Sequence, residues 1–307
     1  MRSLFAKEIT TLAKENKDIV LLSGDIGNRM FDDFKDITSN RFFNCGIAEA
    51  NMMSVAAGMA LCGLRPVIYT ITPFTTTRCL EQIKIGAAYH DANVVIIGTG
   101  SGLSYSELGA THHSLEDIAI MRSIPNIRVL TPCDPLELKV HLREALSLHG
   151  PTYIRIGKKG EPFLFEDSKI LGIGKSNTIK NGEDYLILGI GPIINEALKA
   201  SISLEKIGIN VAVVNIGSIR PLDTEFLKKM VKKNFKYWIT LEEHGIVGGL
   251  GSTILEWASD FEYLNYIKLK RLAVKSEFIH KLGNQAYTRK ILGLDCESIV
   301  KFIREIE

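Results

Sequence analysis

Two doubly wound α/β domains are the fold class that the sequence predicts. Short apolar segments of strand length alternate with amphipathic segments of helix length, which predicts a mostly parallel sheet with helices on both faces. The alternation is interrupted once, over residues 158–183, and then starts again. A chain of 307 residues is also long enough for about two domains, each with its own core. The second domain is expected to be the smaller one.

The first domain is predicted to begin with a helix over 3–16, because its apolar residues recur at helical spacing. Small and apolar residues predict further helices over 48–62 and 78–90. Asp134-Pro135 predicts another helix start, because Asp is a preferred N-cap and Pro a preferred first residue. Short apolar runs predict buried strands at 18–23, 41–45, 66–71, 93–98, 127–132 and 151–156.

A loop-rich crossover separates the two domains. Lys158, Lys159, Gly160 and the Asn181-Gly182 turn lack the periodicity of a helix or a strand. The boundary is placed near residue 170, which gives domains of 1–170 and 171–307. In the second domain strands alternate with helices at 184–189, 192–207, 209–215, 224–233, 237–241 and 249–259.

Composition excludes several classes of protein. Lys and Arg number 37 against 35 Asp and Glu, so the net charge of +2 leaves no basic footprint for nucleic acid. The longest apolar runs have strand length, and the first residues lack the apolar core of a signal peptide. The five cysteines form no C-x-x-C pair, which indicates reduced thiols. We therefore expect a cytoplasmic protein that binds neither nucleic acid nor membranes.

Glu49 is the first candidate for chemistry. It follows Gly46-Ile-Ala at the point where a strand ends and a helix begins, and its flanks are almost all small or apolar. Two interpretations stay open. A carboxylate in the first turn of a helix is stabilised by the helix dipole and needs no other role. In a dry pocket the same carboxyl would keep its proton to a higher pH, because burial raises the pKa of an acid.

His112 lies in the segment Gly109–Asp117, which follows a Gly-rich loop just past the end of a predicted strand. Open α/β sheets place ligands at this edge. Two histidines and two acids could bind a metal, but adjacent histidines point in different directions unless the loop curls. The pattern therefore favours a His112 that transfers a proton or binds a hydroxyl, with Glu116 and Asp117 starting the next helix.

Phe74 and Arg78 follow the strand at 66–71, and Arg155 lies inside the strand at 151–156. Phe74 could stack on a ligand that Arg78 pairs with, or it could belong to the core while Arg78 is solvated. A charge inside an apolar strand needs a partner or an opening to solvent. For Arg155, recognition of a phosphate group is one solution.

Taken together, the chain resembles the transketolase family from about residue 2 to its end. That family includes transketolase, 1-deoxyxylulose-5-phosphate synthase and the β subunits of 2-oxo-acid dehydrogenases. The tail, Leu292–Asp295, also looks like that of the synthase. The motifs that carry the resemblance, in family order, are Glu49 in Gly-Ile-Ala-Glu, Phe74 after its strand, His112 in Gly-Ala-Thr-His, Arg155, Ile219–Asp223 and Glu242–Gly251.

The resemblance implies a pyrimidine-binding domain over 1–170 and the family's C-terminal domain over 171–307. Gly24-Asp25-Ile26 lacks the final Gly of the family's Gly-Asp-Gly motif, so no metal site is predicted in this chain. The diphosphate-binding domain would then belong to a separate N-terminal subunit, which would hold most of the Mg²⁺ site. The chain looks like the C-terminal subunit of a split transketolase, with thiamine diphosphate between chains of an α2β2 assembly.

The resemblance also implies roles for individual residues. Glu49 would hydrogen-bond the aminopyrimidine nitrogen of the cofactor, Phe74 would stack on the pyrimidine, and Asp25 would lie near the cofactor. His112 would contact oxygen atoms of the substrate. A sugar phosphate would be bound by Arg155, Arg78, Arg2 and Arg29.

One departure keeps alternatives open. In transketolase an Asp stands three residues before the Thr of this loop, where it contacts a donor hydroxyl, and here Leu108 takes its place. The leading expectation is transfer of a two-carbon ketol unit between sugar phosphates. The alternatives are a split carboligase that decarboxylates a 2-oxo acid, similar to the synthase, and a non-catalytic partner subunit.

Overall fold

The computed structural model describes residues 1–27, 29–166 and 170–307. The described residues form two sheets, one of seven and one of five strands. The predicted class of two mostly parallel α/β domains is confirmed. The predicted boundary near residue 170 borders residues 167–169, which lie outside the described part of the chain.

The first sheet has the strand order β10-β5-β6-β4-β3-β1-β2, and the second has the order β12-β11-β8-β9-β7. Neighbouring strands pair in parallel, apart from the antiparallel pairs β10 with β5 and β7 with β9. The strands are β1 (Ile19–Ser23), β2 (Phe42–Asn44), β3 (Arg65–Ile71), β4 (Val95–Thr99), β5 (Arg128–Leu130), β6 (Thr152–Ile156), β7 (Asn177–Lys180), β8 (Tyr185–Gly189), β9 (Val211–Asn215), β10 (Ser218–Arg220), β11 (Tyr237–Gly245) and β12 (Leu269–Val274).

The helices pack on both faces of the first sheet and cover the second. A π-helix at Ile83–Tyr89 and a 3-10 turn at Thr77–Cys79 replace most of the helix predicted over 78–90. The α-helices are α1 (Arg2–Glu15), α2 (Asp32–Ile37), α3 (Glu49–Leu61), α4 (Thr72–Thr75), α5 (Leu80–Gln82), α6 (Asp117–Ser123), α7 (Pro135–Ser147), α8 (Ile194–Glu205), α9 (Thr224–Val231), α10 (Leu250–Asp260), α11 (Gln285–Ile291) and α12 (Cys296–Glu305). Within the described residues, no helix is long and apolar enough to cross a membrane.

The local signals predicted most of these elements. Asp134 caps α7 by accepting a hydrogen bond from the backbone of Glu137, with Pro135 as the first helical residue, as predicted. The strands β1, β4, β6, β8 and β9 are buried along their whole length, which explains their uninterrupted apolar sequence. The short strands β7 and β10 and the strand β12 carry no such signal and were not predicted from the sequence.

Parallel pairing brings the carboxyl ends of β1, β3, β4 and β6 to one edge of the first sheet. The chain leaves this edge at Gly24, Thr72, Gly100 and Gly157. Side chains that follow these four strands therefore converge, as expected for an open α/β sheet. The predicted site residues lie mostly in these connections.

The two domains share buried polar contacts, of which Glu137 makes one. Its carboxylate accepts hydrogen bonds from Cys133 N at 2.7 Å, Asn215 Nδ2 at 2.7 Å and Asn177 Nδ2 at 3.0 Å. Both asparagines belong to the second sheet. Burial raises the pKa of Glu137 from 4.5 to about 7. Ionisation of this carboxyl therefore opposes the packing of the domains.

The second contact is made by Arg155 of β6, which forms an ion pair with Asp117 of α6 in its own domain and reaches the backbone of β11 in the second domain. Both charged side chains are almost fully buried. Arg155 Nε donates to Asp117 Oδ2 at 2.7 Å, and Nη2 donates to the carbonyls of Ser114 and Glu243. Tyr153 OH donates to the same Asp117 oxygen at 2.6 Å. Burial alone would raise the pKa of Asp117, but Arg155, His244 and the hydroxyl of Tyr153 together outweigh burial and hold that pKa below its ordinary value.

Replacing Glu137 by Gln is expected to flatten the pH dependence of folding. In the wild type the pKa of Glu137 is higher in the folded than in the unfolded chain, so its contribution to stability is present below pH 4.5 and is lost as pH rises through 7. That loss amounts to as much as about 3 kcal/mol. Urea unfolding between pH 5 and 8 measures it. A variant with the wild-type slope would contradict the prediction, and Glu225→Gln on the surface is the control.

Replacing Asp117 by Asn is expected to lower the free energy of unfolding by about 3–5 kcal/mol, because Arg155 then stays buried without a counter-ion. Denaturant unfolding at pH 7 measures this. The control is Glu225→Gln, which breaks the exposed pair with Lys228 and should leave the unfolding midpoint unchanged. Equal midpoints for all three proteins would show that the buried pair does not stabilise the fold.

Candidate active site

Glu49 is the first residue of α3, and its side chain is 2% exposed. The turn before it contains Gly46 at a φ of +66°, a conformation that favours glycine. Both carboxylate oxygens accept hydrogen bonds from Arg78 Nη1, at 2.9 and 3.0 Å. Of the two interpretations of this residue, the structure thus supports a carboxyl in a buried setting over a solvated residue at a helix start.

Phe74 and Arg78 lie beside Glu49. The guanidinium carbon of Arg78 lies 3.9 Å from the centre of the Phe74 ring, so the cation covers one face of the ring. Phe74 belongs to the short helix α4, which Thr72 Oγ1 ties to the end of β4 through a 3.0 Å hydrogen bond to Thr99 O. Arg78 stays 43% exposed, so the ion pair joins the buried carboxylate of Glu49 to a cation at the surface.

His112 belongs to the segment 100–116, here called the His112 loop. Its ring stands edge-on to Phe74, with ring centres 5.4 Å apart, and 6.0 Å from the ring centre of Tyr105. Thr111 Oγ1 lies 2.9 Å from His112 Nδ1. Partial burial and the charge of Arg78 lower the pKa of His112 below 6.5. The ring is therefore mostly neutral at pH 7 and can both donate and accept a hydrogen bond.

His113 points away from His112, as expected from the sequence for adjacent histidines. It is buried, and its Nε2 lies 3.1 Å from Ser106 O. Among residues 1–27, 29–166 and 170–307 there is no group of three or more Cys, His, Asp or Glu side chains placed to hold a metal ion.

Lys158 is a site residue that was not predicted from the sequence. Its Nζ lies 4.3 Å from the centre of the Tyr105 ring and 3.1 Å from Glu107 Oε1. The hydrogen bond from Lys158 lowers the pKa of Glu107. The sequence contained a signal for Lys158, because the segment Gly157-Lys158-Lys159 directly follows β6. It therefore lies at the same sheet edge as the other candidates. Arg78 thus lies beside Phe74 and Lys158 beside Tyr105, and these are the two rings that His112 contacts.

Asp25 and Asn44 lie at the ends of β1 and β2, before the turn that leads into Glu49. Asp25 follows β1 at a φ of +55°, and its Oδ1 accepts a 2.9 Å hydrogen bond from Asn44 Nδ2. Asn44 Oδ1 in turn accepts from Gly46 N at 3.0 Å. Asn44, which was not selected from the sequence, therefore ties Asp25 to the turn that leads into Glu49.

The remaining arginines are less closely associated with this cluster. Arg2 Nε donates to the hydroxyl of Tyr69 at 3.1 Å, and Arg29 is an exposed residue of the turn after β1. Arg155 is 2% exposed and is engaged by Asp117 and two carbonyl groups. A sugar phosphate would reach Arg155 only by breaking these bonds, so the geometry counts against the predicted substrate contact.

Comparison with known proteins identifies both domains. Residues 1–160 match the family model of the transketolase pyrimidine-binding domain, and residues 174–299 match that of the transketolase C-terminal domain. One of the subunits of the apulose-4-phosphate transketolase of Phocaeicola vulgatus is 32% identical over 98% of this chain and 95% of that protein. A putative transketolase C-terminal section of Methanocaldococcus jannaschii is 35% identical over 99% of this chain and 95% of its own length.

Longer relatives match along part of their length. A 1-deoxy-D-xylulose-5-phosphate synthase of Syntrophus aciditrophicus is 32% identical over 99% of this chain but 46% of the synthase. Among solved structures, a split gene transketolase described as an inactive β4 tetramer has a TM-score of 0.88 at 32% identity, covering 99% of this chain and 97% of that one. The predicted resemblance to the C-terminal subunit of a split transketolase is confirmed, and the chain belongs to the transketolase family.

Proposed function

We propose that the chain is the C-terminal subunit of a thiamine-diphosphate-dependent transketolase. It transfers a two-carbon ketol unit between sugar phosphates together with a separate subunit that carries the diphosphate-binding domain. The observation that carries the proposal is the convergence of buried Glu49, the Phe74 ring and His112 at one sheet edge. The names of the relatives, which are transketolase subunits and sections, support the same activity.

The residues of the pocket fit the pyrimidine of thiamine diphosphate. A planar guanidinium already lies 3.9 Å above the ring of Phe74, which is the spacing of a stacked planar group. The same guanidinium donates to the Glu49 carboxylate, which offers two acceptor oxygens in a setting of small and apolar residues. When bound, the cofactor supplies the carbon nucleophile that carries the two-carbon unit.

The side chains of this subunit then have distinct tasks. Glu49 would share a proton with a ring nitrogen of the pyrimidine through a carboxylate oxygen, and Phe74 would orient that ring. His112 is neutral at pH 7 and so can give a hydrogen bond to, or take one from, an oxygen atom of the sugar. Lys158 and Arg78 would be available to a phosphate group once released from Glu107 and Glu49, and Asp25 would lie next to the cofactor.

A partner subunit is supported by two features. The described residues provide no cluster of ligands for Mg²⁺, which we assign mainly to the partner. The strand β2, the turn after it, α3 and the π-helix expose large apolar side chains, which are typical of a protein interface. These side chains are Phe43, Ile47, Val55, Leu61, Ile85 and Tyr89. An α2β2 assembly would cover this surface, and the cysteines, none of them in a disulfide, fit a cytoplasmic enzyme.

A second candidate is a split carboligase that decarboxylates a 2-oxo acid. Leu108 favours it, because this residue is 49% exposed and offers no hydrogen bond to a donor hydroxyl at the edge of the His112 loop. The match to 1-deoxy-D-xylulose-5-phosphate synthases along 99% of this chain points the same way. Assays of the assembled pair with a ketose phosphate and with pyruvate as alternative donors separate the two candidates.

Thiamine diphosphate with Mg²⁺ is expected to bind the two subunits together and not this chain alone, because the chain holds the pyrimidine end of the site. Calorimetric titration of the chain, the partner and their mixture measures this. Tight binding to the chain alone would contradict the split site. Absence of binding to the mixture would favour the non-catalytic partner subunit.

Replacing Glu49 by Gln is expected to lower the rate of ketol transfer by the assembled enzyme by about 10²–10⁴, because the amide cannot hold the shared proton. The matched control is Glu225→Gln, another acid in the first turn of a helix, which should keep wild-type activity. Initial rates under saturating cofactor and substrates measure the effect. If Glu49→Gln transferred ketol units at the wild-type rate, the role given to Glu49 would be wrong.

A further inference from the structure

The His112 loop is closed on itself and is also bonded to its own domain. Ser114 N donates to Gly102 O at 3.0 Å, which closes the loop, and His113 lies 3.1 Å from Ser106 O inside it. The first domain holds the two ends of the loop, because Ser101 N donates to Ile156 O and Arg155 Nη2 donates to Ser114 O. Between these ends, the exposed side chain of Glu107 accepts a hydrogen bond from Lys158.

The second domain also holds this loop through hydrogen bonds. The carboxylate of Glu243, in β11, accepts a 3.2 Å hydrogen bond from Leu103 N. Ser106 Oγ donates to Gly283 O at 2.8 Å, and Gly245 N donates to Leu115 O at 2.7 Å. The loop is thus bonded to the second domain near its start, its middle and its end.

Glu243 is itself held rigidly. Its carboxylate accepts from Gln285 Nε2, at 3.1 and 3.0 Å, and from Arg289 Nε. Gln285 and Arg289 lie one turn apart on α11, and the carboxylate is 5% exposed. The buried carboxylate of Glu243 therefore faces donors from Leu103 N, Gln285 and Arg289. A carboxylate accepts hydrogen bonds from all of them, because both of its oxygens are acceptors.

The loop approaches Glu243 so closely that Gly102 is required. A Cβ atom at Gly102 would lie 2.5 Å from the Cβ of Glu243 and 2.8 Å from its carbonyl oxygen. The φ of Gly102 is +59°, which also disfavours other residues. Gly208 is a comparison position, because it has a φ of +85° with open space around its missing side chain.

We propose that Glu243 is a positioning residue, through which the second domain holds the His112 loop so that the His112 ring stands against Phe74 and Tyr105. The inference rests on the proposed function insofar as His112 contacts the substrate. The second domain then acts on the reaction without touching the reacting atoms, and Glu243 provides the side chain through which it bonds the backbone of the loop.

The test uses four variants of the full chain. Glu243→Gln keeps the size of the side chain but sets its amide against the donors of Gln285 and Arg289. The double variant, Glu243→Gln with Gln285→Glu, restores a carboxylate next to Arg289 and an acceptor for Leu103 N. Gly102→Ala pushes the loop away from Glu243. Gly208→Ala carries the same backbone strain without this contact.

Hydrogen exchange of peptides spanning 100–116, measured by mass spectrometry on the chain alone, gives the first readout. We expect protection of the loop to fall about tenfold or more in Glu243→Gln and Gly102→Ala. It should recover in the double variant and stay unchanged in Gly208→Ala. NMR titration of His112, assigned with His112→Asn, gives the second. Its pKa should rise toward 6.5 in the two loosened variants, because the ring leaves Arg78 and the buried setting.

Wild-type exchange in Glu243→Gln and Gly102→Ala would overturn the inference. So would hydrogen exchange that rises over the whole chain, or a double variant in which the protection of the loop does not recover. In the assembled enzyme, we expect Glu243→Gln to lower kcat between about ten- and a hundredfold, with an unchanged half-saturating concentration of thiamine diphosphate. A wild-type pair without ketol transfer would contradict the proposed function alone, because the two readouts on the isolated chain do not depend on it.

Discussion

The guanidinium of Arg155 is buried between the two sheets, and its need for partners orders much of the structure around it. Asp117 at the start of α6 supplies the counter-charge, and the carbonyls of Ser114 and Glu243 accept further hydrogen bonds. These groups come from the end of the His112 loop and from the second domain. An unpaired charge at this depth would cost several kcal/mol, so the fold is stable only when the loop, α6 and β11 meet at β6.

The convergence of the candidate site could be predicted from the sequence. Glu49, Phe74 and His112 each follow a strand, and parallel strands end at one edge. For Arg155 the sequence showed that a partner or an opening was needed but could not choose, because one partner, Glu243, lies 88 residues away along the chain. Lys158 was missed because a lysine pair after a strand is also typical of a solvated turn.

Other differences between prediction and structure also have physical causes. The π-helix at Ile83–Tyr89 shares the apolar composition of an α-helix, so periodicity does not reveal it. The strand β10 has three residues, and its pairing with β5 depends on the packing of the second domain against the first. Asn44 belongs to no recognisable sequence motif, so its role could not be predicted. That role depends on the ends of β1 and β2 lying close enough for Asn44 to bond Asp25.

The strand β10 also bears on how the chain can be divided. Its residues, Ser218–Arg220, follow β9 of the second sheet, yet they complete the edge of the first sheet by pairing with β5. A fragment ending near residue 170 would leave β5 with a row of unpaired backbone groups, and exposed edges of this kind promote aggregation. The two sheets therefore share a strand across the apparent linker, and cutting the chain there would damage the domain left behind.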